Sequence, residues 1–239
     1  MVHPATDEPR PRGRALLRMQ WHELLFIHWP VEPQRVQALL PPRVRPDCFD
    51  GSAWVGLIPF TMPRFRPLGL RLPGAGAFHE CNVRTYVTVE GEPGVWFLSL
   101  DAASRLAALA ARLCLNLPYH HAEIGLERRG GGVDYKVRRR GEPGARTHLS
   151  WEVGDPLPPA RPGSLEWFLT ERYCLYVPDR RGRLRRGRIW HPRWRLHQAR
   201  LHYLEDHLLA AAGIEVPGGP ASVLSGGVLE AAAWPLRTC

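Results

Sequence analysis

Residues 78–90 read FHECNVRTYVTVE, and from Asn82 onward they alternate. Val83, Thr85, Val87 and Val89 fall on one side of an extended chain, and Asn82, Arg84, Tyr86 and Thr88 fall on the other. A period of two in β-branched and aromatic residues predicts a strand. Glu92-Pro93-Gly94 predicts a turn, and Val95–Leu100 (VWFLSL) predicts the strand that returns from it.

Upstream of this hairpin, Trp21–Trp29 (WHELLFIHW) is dense in apolar residues and predicts a mostly buried strand. Glu32–Leu40 predicts a short helix, opened by Pro33 and stopped by Pro41-Pro42. Asp50-Gly51 signals a tight turn into a strand over Ser52–Met62, in which Pro59 predicts an edge or bulge position. Arg64–Ala77 is rich in Pro, Gly and Leu without a period and predicts a loop, long enough to form a lid or pocket wall.

Downstream, Asp101 can cap a helix running to about Asn116, with Leu106, Leu109 and Leu113 as its apolar positions. Pro118 ends it, and Leu115–His121 (LNLPYHH) sets a phenol and two imidazoles directly after the proline. Three antiparallel strands are predicted over residues 122–128, 133–139 and 146–153, then a helix over Ser164–Tyr173 capped by Ser164. A hairpin over Leu175–Trp194 carries the basic tip Asp179–Arg183, and periodicity leaves Arg195–Tyr203 as strand or helix. Glu205–Ala212 predicts a helix ended by Gly213, and a last strand over Ala221–Pro235 is interrupted by Gly226-Gly227. The sum is a mainly β, α+β chain. Its organisation is a flexible N-terminal leader over residues 1–18 and a single domain over residues 19–239.

The 239 residues are 44% apolar and 23% charged, enough to bury a sizeable core. No apolar run approaches the roughly 20 residues that span a bilayer, and residues 1–18 hold no secretory h-region. Five scattered cysteines without a C-x-x-C pair predict reduced thiols and a cytoplasmic protein. The net charge of +9 is almost all arginine, with Lys136 the single lysine, as a GC-rich coding bias would produce. The arginines and tryptophans of residues 180–200 could form a nucleic-acid surface, a reading the usual solvation of turn tips disfavours.

Several chemistries lack their residues. There is no G-x-S-x-G, no Walker motif, no G-x-G-x-x-G and no H-E-x-x-H, so neither a cofactor nor a metal is expected. A Schiff-base mechanism needs a desolvated lysine, yet Lys136 lies between Asp134 and Arg138 on the polar side of its strand. Tyr119, His120 and Glu80 remain as candidate proton-transfer groups. His120 and His121 are adjacent and point to opposite sides of an extended chain, so at most one faces a given pocket.

The segments WHELLFIHWPVEPQRVQALLPP, FDGSAWVGLIPF, FHECNVRTYV, SLDAASRLAALAARL and FLTERYCLY resemble the YqjF-like proteins, an uncharacterised bacterial group. That group is in turn similar to acetoacetate decarboxylase. This resemblance implies a mainly antiparallel β cone or barrel with peripheral helices. The decarboxylase carries two lysines after the helix, where this chain has Tyr119 and His120, so the resemblance implies the pocket without its imine chemistry. It also implies that Glu80 falls near a pocket glutamate and His22 near a substrate-binding arginine, with Arg84 as a replacement cation. Two functions compete on these grounds: an acid–base enzyme acting on a small carbonyl or polar metabolite, and a non-catalytic protein binding a small molecule in the same cavity. Neither needs a membrane, and a homo-oligomer is left open.

Overall fold

A computed structural model describes residues 8–67 and 77–239. The first part holds β1 (Leu17–His22), β2 (Leu25–Val31), α1 (Pro33–Gln37), β3 (Arg45–Pro46), β4 (Cys48–Phe49) and β5 (Ser52–Pro67). Next come β6 (Phe78–Val89), β7 (Glu92–Ala102), α2 (Arg105–Leu115), β8 (Tyr119–Arg129), β9 (Gly132–Arg139), β10 (Arg146–Pro156) and α3 (Leu165–Thr170). The last part is β11 (Cys174–Pro178), β12 (Leu184–Trp190), β13 (Leu196–Asp206), α4 (Leu208–Ala211), β14 (Ser222–Gly226), β15 (Leu229–Ala233) and β16 (Arg237–Thr238).

These strands form one mixed sheet that closes on itself. The order β2-β5-β6-β7-β8-β9-β10-β13-β14 returns to β2. A second closure runs β5-β1-β15-β12-β11-β7-β6 and back to β5. The two rings share β5, β6 and β7 as a common wall. Most pairings are antiparallel, but β7 pairs parallel with both β8 and β11.

Both faces of the shared wall are covered. Leu25, Ile27, Leu57 and Val83 join Tyr135, Leu149 and Trp151 in one core. Phe26, Ile58, Phe60 and Phe78 join Trp194 and Leu224 in another, on the opposite face. Pro59 sits where this arrangement tolerates a missing N–H. On one flank β5 pairs with β2 up to Leu57, then with β1 from Thr61, so the proline occupies the handover.

The structure moves several boundaries. The β6–β7 turn is Glu90-Gly91, both at positive φ (52° and 82°), and Pro93-Gly94 belong to β7. The cap of α2 is Ser104, whose hydroxyl accepts from the Ala107 N–H at 3.3 Å, while Asp101 is a strand residue. Ala107 and Ala108 are the residues α2 buries, whereas Leu106, Leu109 and Leu113 are 61%, 51% and 57% exposed. Ser164 does cap α3 as expected, accepting from Trp167 N–H at 3.2 Å. Residues 196–206 are strand, and the predicted 205–212 helix is a single turn at α4, closed by Gly213 at φ 83°. The predicted Arg64–Ala77 loop divides: residues 64–67 continue β5, and residues 68–76 lie outside the described residues.

Residues 8–16, expected as part of a flexible leader, pack on the domain. Glu8 pairs with Arg188 and accepts from the Trp190 indole, Gly13 accepts from the Trp234 indole, and Ala15 is buried.

Candidate active site

The centre of the site is Glu80, the third residue of β6 and 2% exposed. Strand alternation turns it to the side of Phe78, with Cys81 and Val83 on the other. Its backbone is fixed from behind: the Tyr135 hydroxyl donates to the Glu80 carbonyl at 2.9 Å. Its carboxylate accepts from the Tyr119 hydroxyl at 2.9 Å between Oε2 and the phenol oxygen. Tyr119 opens β8, and that strand's parallel pairing with β7 sets Tyr119 beside Leu100 and so within reach of β6.

No cation pairs with this carboxyl among the described residues. Burial pushes the Glu80 pKa up to about 8, the Tyr119 hydrogen bond acts against that rise, and the charge of Asp101 adds to it. Tyr119 is held well above its usual value by burial and by the charge and hydrogen bond of Glu80. The pair is therefore uncharged at neutral pH, with a carboxyl poised to exchange its proton close to that range.

The same side of β6 carries two further polar groups. Asn82 is 5% exposed, and its Oδ1 has no hydrogen-bond partner among the described residues. The Arg84 guanidinium donates to the Tyr86 hydroxyl (3.0 Å) and the Leu169 carbonyl (2.9 Å) and lies over the Phe26 ring at 5.4 Å. Arg84 thus does turn inward, tied to Tyr86 and α3. Tyr86 also bonds His28 Nε2 at 2.6 Å, and burial and the Arg84 charge hold His28 well below its usual pKa.

The other sequence candidates lie elsewhere. His120 occupies the opposite side of β8 from Tyr119, level with Asp101 on β7. Its pKa is lowered by burial and then by the charge of Arg139, against the smaller pull of Asp101 and Glu142. His22 is lowered by burial and by Arg64 and Arg128, and its Nε2 is buried without a partner among the described residues. Lys136 pairs with Asp134 at 3.3 Å with a side chain 59% exposed, on the solvated face read from its neighbours. So the structure joins Glu80 to Tyr119, sets Arg84 on the same side of β6, and sets His120 on the other side of β8.

Two features escaped the sequence. The first is Asp101–Arg139, a buried two-pronged ion pair at 2.8 and 2.9 Å. Arg139 belongs to a run of arginines, and nothing in that run singles it out. The second is an aromatic group beside the Phe26 core. Trp21 stacks on Trp194 (5.8 Å, 5° between planes), and His191 stacks on Tyr173 at 4.6 Å. Burial brings the His191 pKa down to about 4, and the Glu171 carboxyl, raised by burial, accepts from Trp194 N–H at 3.0 Å. The indole Nε1 atoms of Trp21 and Trp194 are buried without hydrogen-bond partners among the described residues. Trp density near residues 190–194 was the available signal, but it equally describes ordinary core packing.

A model of the DUF2071 family, described as an uncharacterized conserved protein, matches residues 18–228. The uncharacterized protein YqjF of Bacillus subtilis strain 168 is 36% identical over 228 residues, covering 95% of this chain and 94% of that relative. Among solved structures, acetoacetate decarboxylase from Legionella pneumophila is similar with a TM-score of 0.65 at 16% identity, covering 98% of this chain and 92% of that one. The enduracididine biosynthesis enzyme MppR, complexed with the condensation product of pyruvate and imidazole 4-carboxaldehyde, gives a TM-score of 0.66 at 15% identity, covering 98% of both chains. An acetoacetate decarboxylase-like enzyme from Sphingomonas wittichii RW1 gives 0.60 at 16% identity, covering 99% of this chain and 98% of that one. At such identities the likeness to these structures is one of fold.

Proposed function

The chain belongs to the DUF2071 family, and from that premise we propose that it is an acid–base enzyme acting on a small carbonyl compound, with Glu80 as the proton carrier and Tyr119 as its partner. The observation that carries this reading is the 2.9 Å bond between Tyr119 and a buried Glu80 whose pKa stands at about 8. Tyr119 donates to Oε2, so the acidic proton of the neutral carboxyl belongs on Oε1, the oxygen left to meet a ligand. When that proton passes to a carbonyl oxygen, Glu80 becomes a carboxylate in an apolar site, and the Tyr119 bond strengthens as the charge appears. Stabilisation made only as charge develops is the kind that accelerates a step. General acid catalysis of this type contributes about 10² to 10⁴-fold. Arg84, on the same side of β6, is the cation available to orient a polar ligand. His120, on the other side of β8, has no part in this step.

The test is turnover of a panel of β-keto acids, dicarbonyls and small aromatic carbonyls by the full chain and by Glu80→Gln and Tyr119→Phe. Loss of turnover with an unchanged circular-dichroism spectrum supports the assignment, and undiminished turnover in both variants overturns it. The indole N–H groups of Trp21 and Trp194 and the Oδ1 of Asn82, which have no hydrogen-bond partner among the described residues, favour a second reading, ligand binding without chemistry. Mass spectrometry of a bound compound after long incubation separates the two, since only the enzyme alters it.

A further inference from the structure

On the outer side of β1 and β5 lies a cavity of about 220 Å³ lined by Arg10, Arg18, Arg64, Arg66, Trp190 and Glu230, among other residues. Strand register builds it. Arg18 stands directly opposite Arg66, and Gln20 stands opposite Arg64, while on the other flank of β1 Gln20 faces Glu230. Arg10 arrives from the N-terminal segment, its guanidinium 5.2 Å from the centre of the Trp190 ring. Four arginines therefore line a concavity that also holds one glutamate, an excess of three positive charges.

Like charges directly opposite one another across a strand pair are destabilising. Several other arginines of this chain are matched by acids. On the β11–β12 hairpin, Arg183 and Arg185 share Asp179, Arg186 pairs with Glu92, and Arg188 pairs with Glu92 and Glu8. Arg10, Arg18, Arg64 and Arg66 have no carboxylate within ion-pair distance among the described residues.

We propose that this cavity is a binding site for a small polyvalent oxyanion carrying phosphoryl groups, such as an organic diphosphate. Guanidinium forks match phosphoryl oxygens in pairs, which a point charge does not. The cavity is small and concave and has an indole wall, the shape for a compact ligand; a duplex requires an extended surface, and Arg183, Arg185, Arg186 and Arg188 of the neighbouring hairpin are already paired. The site lies on the outer face of β1 and β5, whereas Glu80 and Tyr119 lie within the fold, so neither proposal depends on the other.

The experiment is calorimetric titration of the full chain with inorganic pyrophosphate at low ionic strength. Wild type should bind saturably, with affinity that weakens as sodium chloride is added. Arg18→Gln with Arg66→Gln should lose affinity by about tenfold or more, as each removes a charge-assisted fork. The same pair without ligand should melt no lower than wild type, because opposed like charges have been relieved. Glu230→Gln should tighten binding, a change of opposite sign that misfolding cannot mimic. Neutralising Arg183 and Arg185 should leave the affinity unchanged. Equal pyrophosphate affinity in wild type and in the Arg18/Arg66 variant would overturn the proposal. So would a short oligonucleotide that binds more tightly than pyrophosphate through the same four arginines, which would assign the surface to nucleic acid.

Discussion

Two buried carboxyls stand on neighbouring strands of the shared wall and meet opposite environments. Asp101 is fully buried and receives both prongs of the Arg139 guanidinium, which in turn reaches Glu142 at 2.9 Å. Glu80 is 2% exposed and receives one neutral phenol. In the β6–β7 register Asp101 lies opposite Cys81 and Ala102 opposite Glu80, so the carboxyls project from opposite sides of one wall. A carboxyl matched by a guanidinium is held on both oxygens and fastens the fold. A carboxyl matched by a phenol stays protonated to about pH 8 and is available for chemistry. Burial alone does not decide how a carboxyl is held; the partner that meets it does.

The largest effect should come from breaking the compensated pair. Arg139→Ala leaves Asp101 buried without a cation and should cost about 3–5 kcal/mol, measured by chemical denaturation. Asp101→Leu combined with Arg139→Met should recover most of that loss, since an apolar pair needs no compensation. A double variant as unstable as the single one would show that the ion pair fixes the strand geometry rather than merely balancing its own charges.

Next comes the pH dependence of stability. The folded state holds the Glu80 proton up to about pH 8, whereas an unfolded glutamate releases it near its ordinary value of 4.5. Between those values the folded state binds more protons, so this group makes stability fall as pH rises, by about 1.4 kcal/mol per pH unit. Below about 4.5 its contribution is flat, and above about 8 the loss is complete. Glu80→Gln should remove that slope, read from denaturation midpoints across the same window. An unchanged slope would place the titration on another group.

A smaller change is expected from Tyr119→Phe. It should cost about 1–3 kcal/mol above pH 8, where the buried carboxylate loses its donor, and less at pH 6, where Glu80 is neutral. It should also move the Glu80 titration upward, because the hydrogen bond it removes favours the charged form. Infrared titration of the carboxyl band measures this directly. The smallest effect belongs to His120→Gln, which should alter stability by less than about 1 kcal/mol and leave the Glu80 titration in place. A displaced Glu80 titration in that variant would join the two sides of the wall that the structure separates.

Legibility in the sequence followed the range of the interaction. The β6 strand was plain because its period of two is local, and the Ser164 cap because hydroxyl and N–H lie three residues apart. Asp101 was misread because an acid ahead of an alanine-rich run resembles a cap, and Ser104 three residues on takes that role. The leucines of α2 have the spacing of a buried stripe, yet the wall beneath accepts only Ala107 and Ala108. Glu80 and Tyr119 are both legible as candidate proton-transfer groups, but their pairing spans 39 residues of sequence and no local pattern carries it.

By itself the sequence determined a chain of alternating strands and short capped helices, and it set Tyr119 directly after the proline that follows the α2 run. These are properties of near neighbours along the chain. Tertiary structure decided which side of β8 faces Glu80, that Arg139 belongs to Asp101, and that four arginines share one hollow while others find acids. Each of those outcomes depends on register between distant strands and on how much water the closed sheet excludes, and charge and proton affinity depend on both.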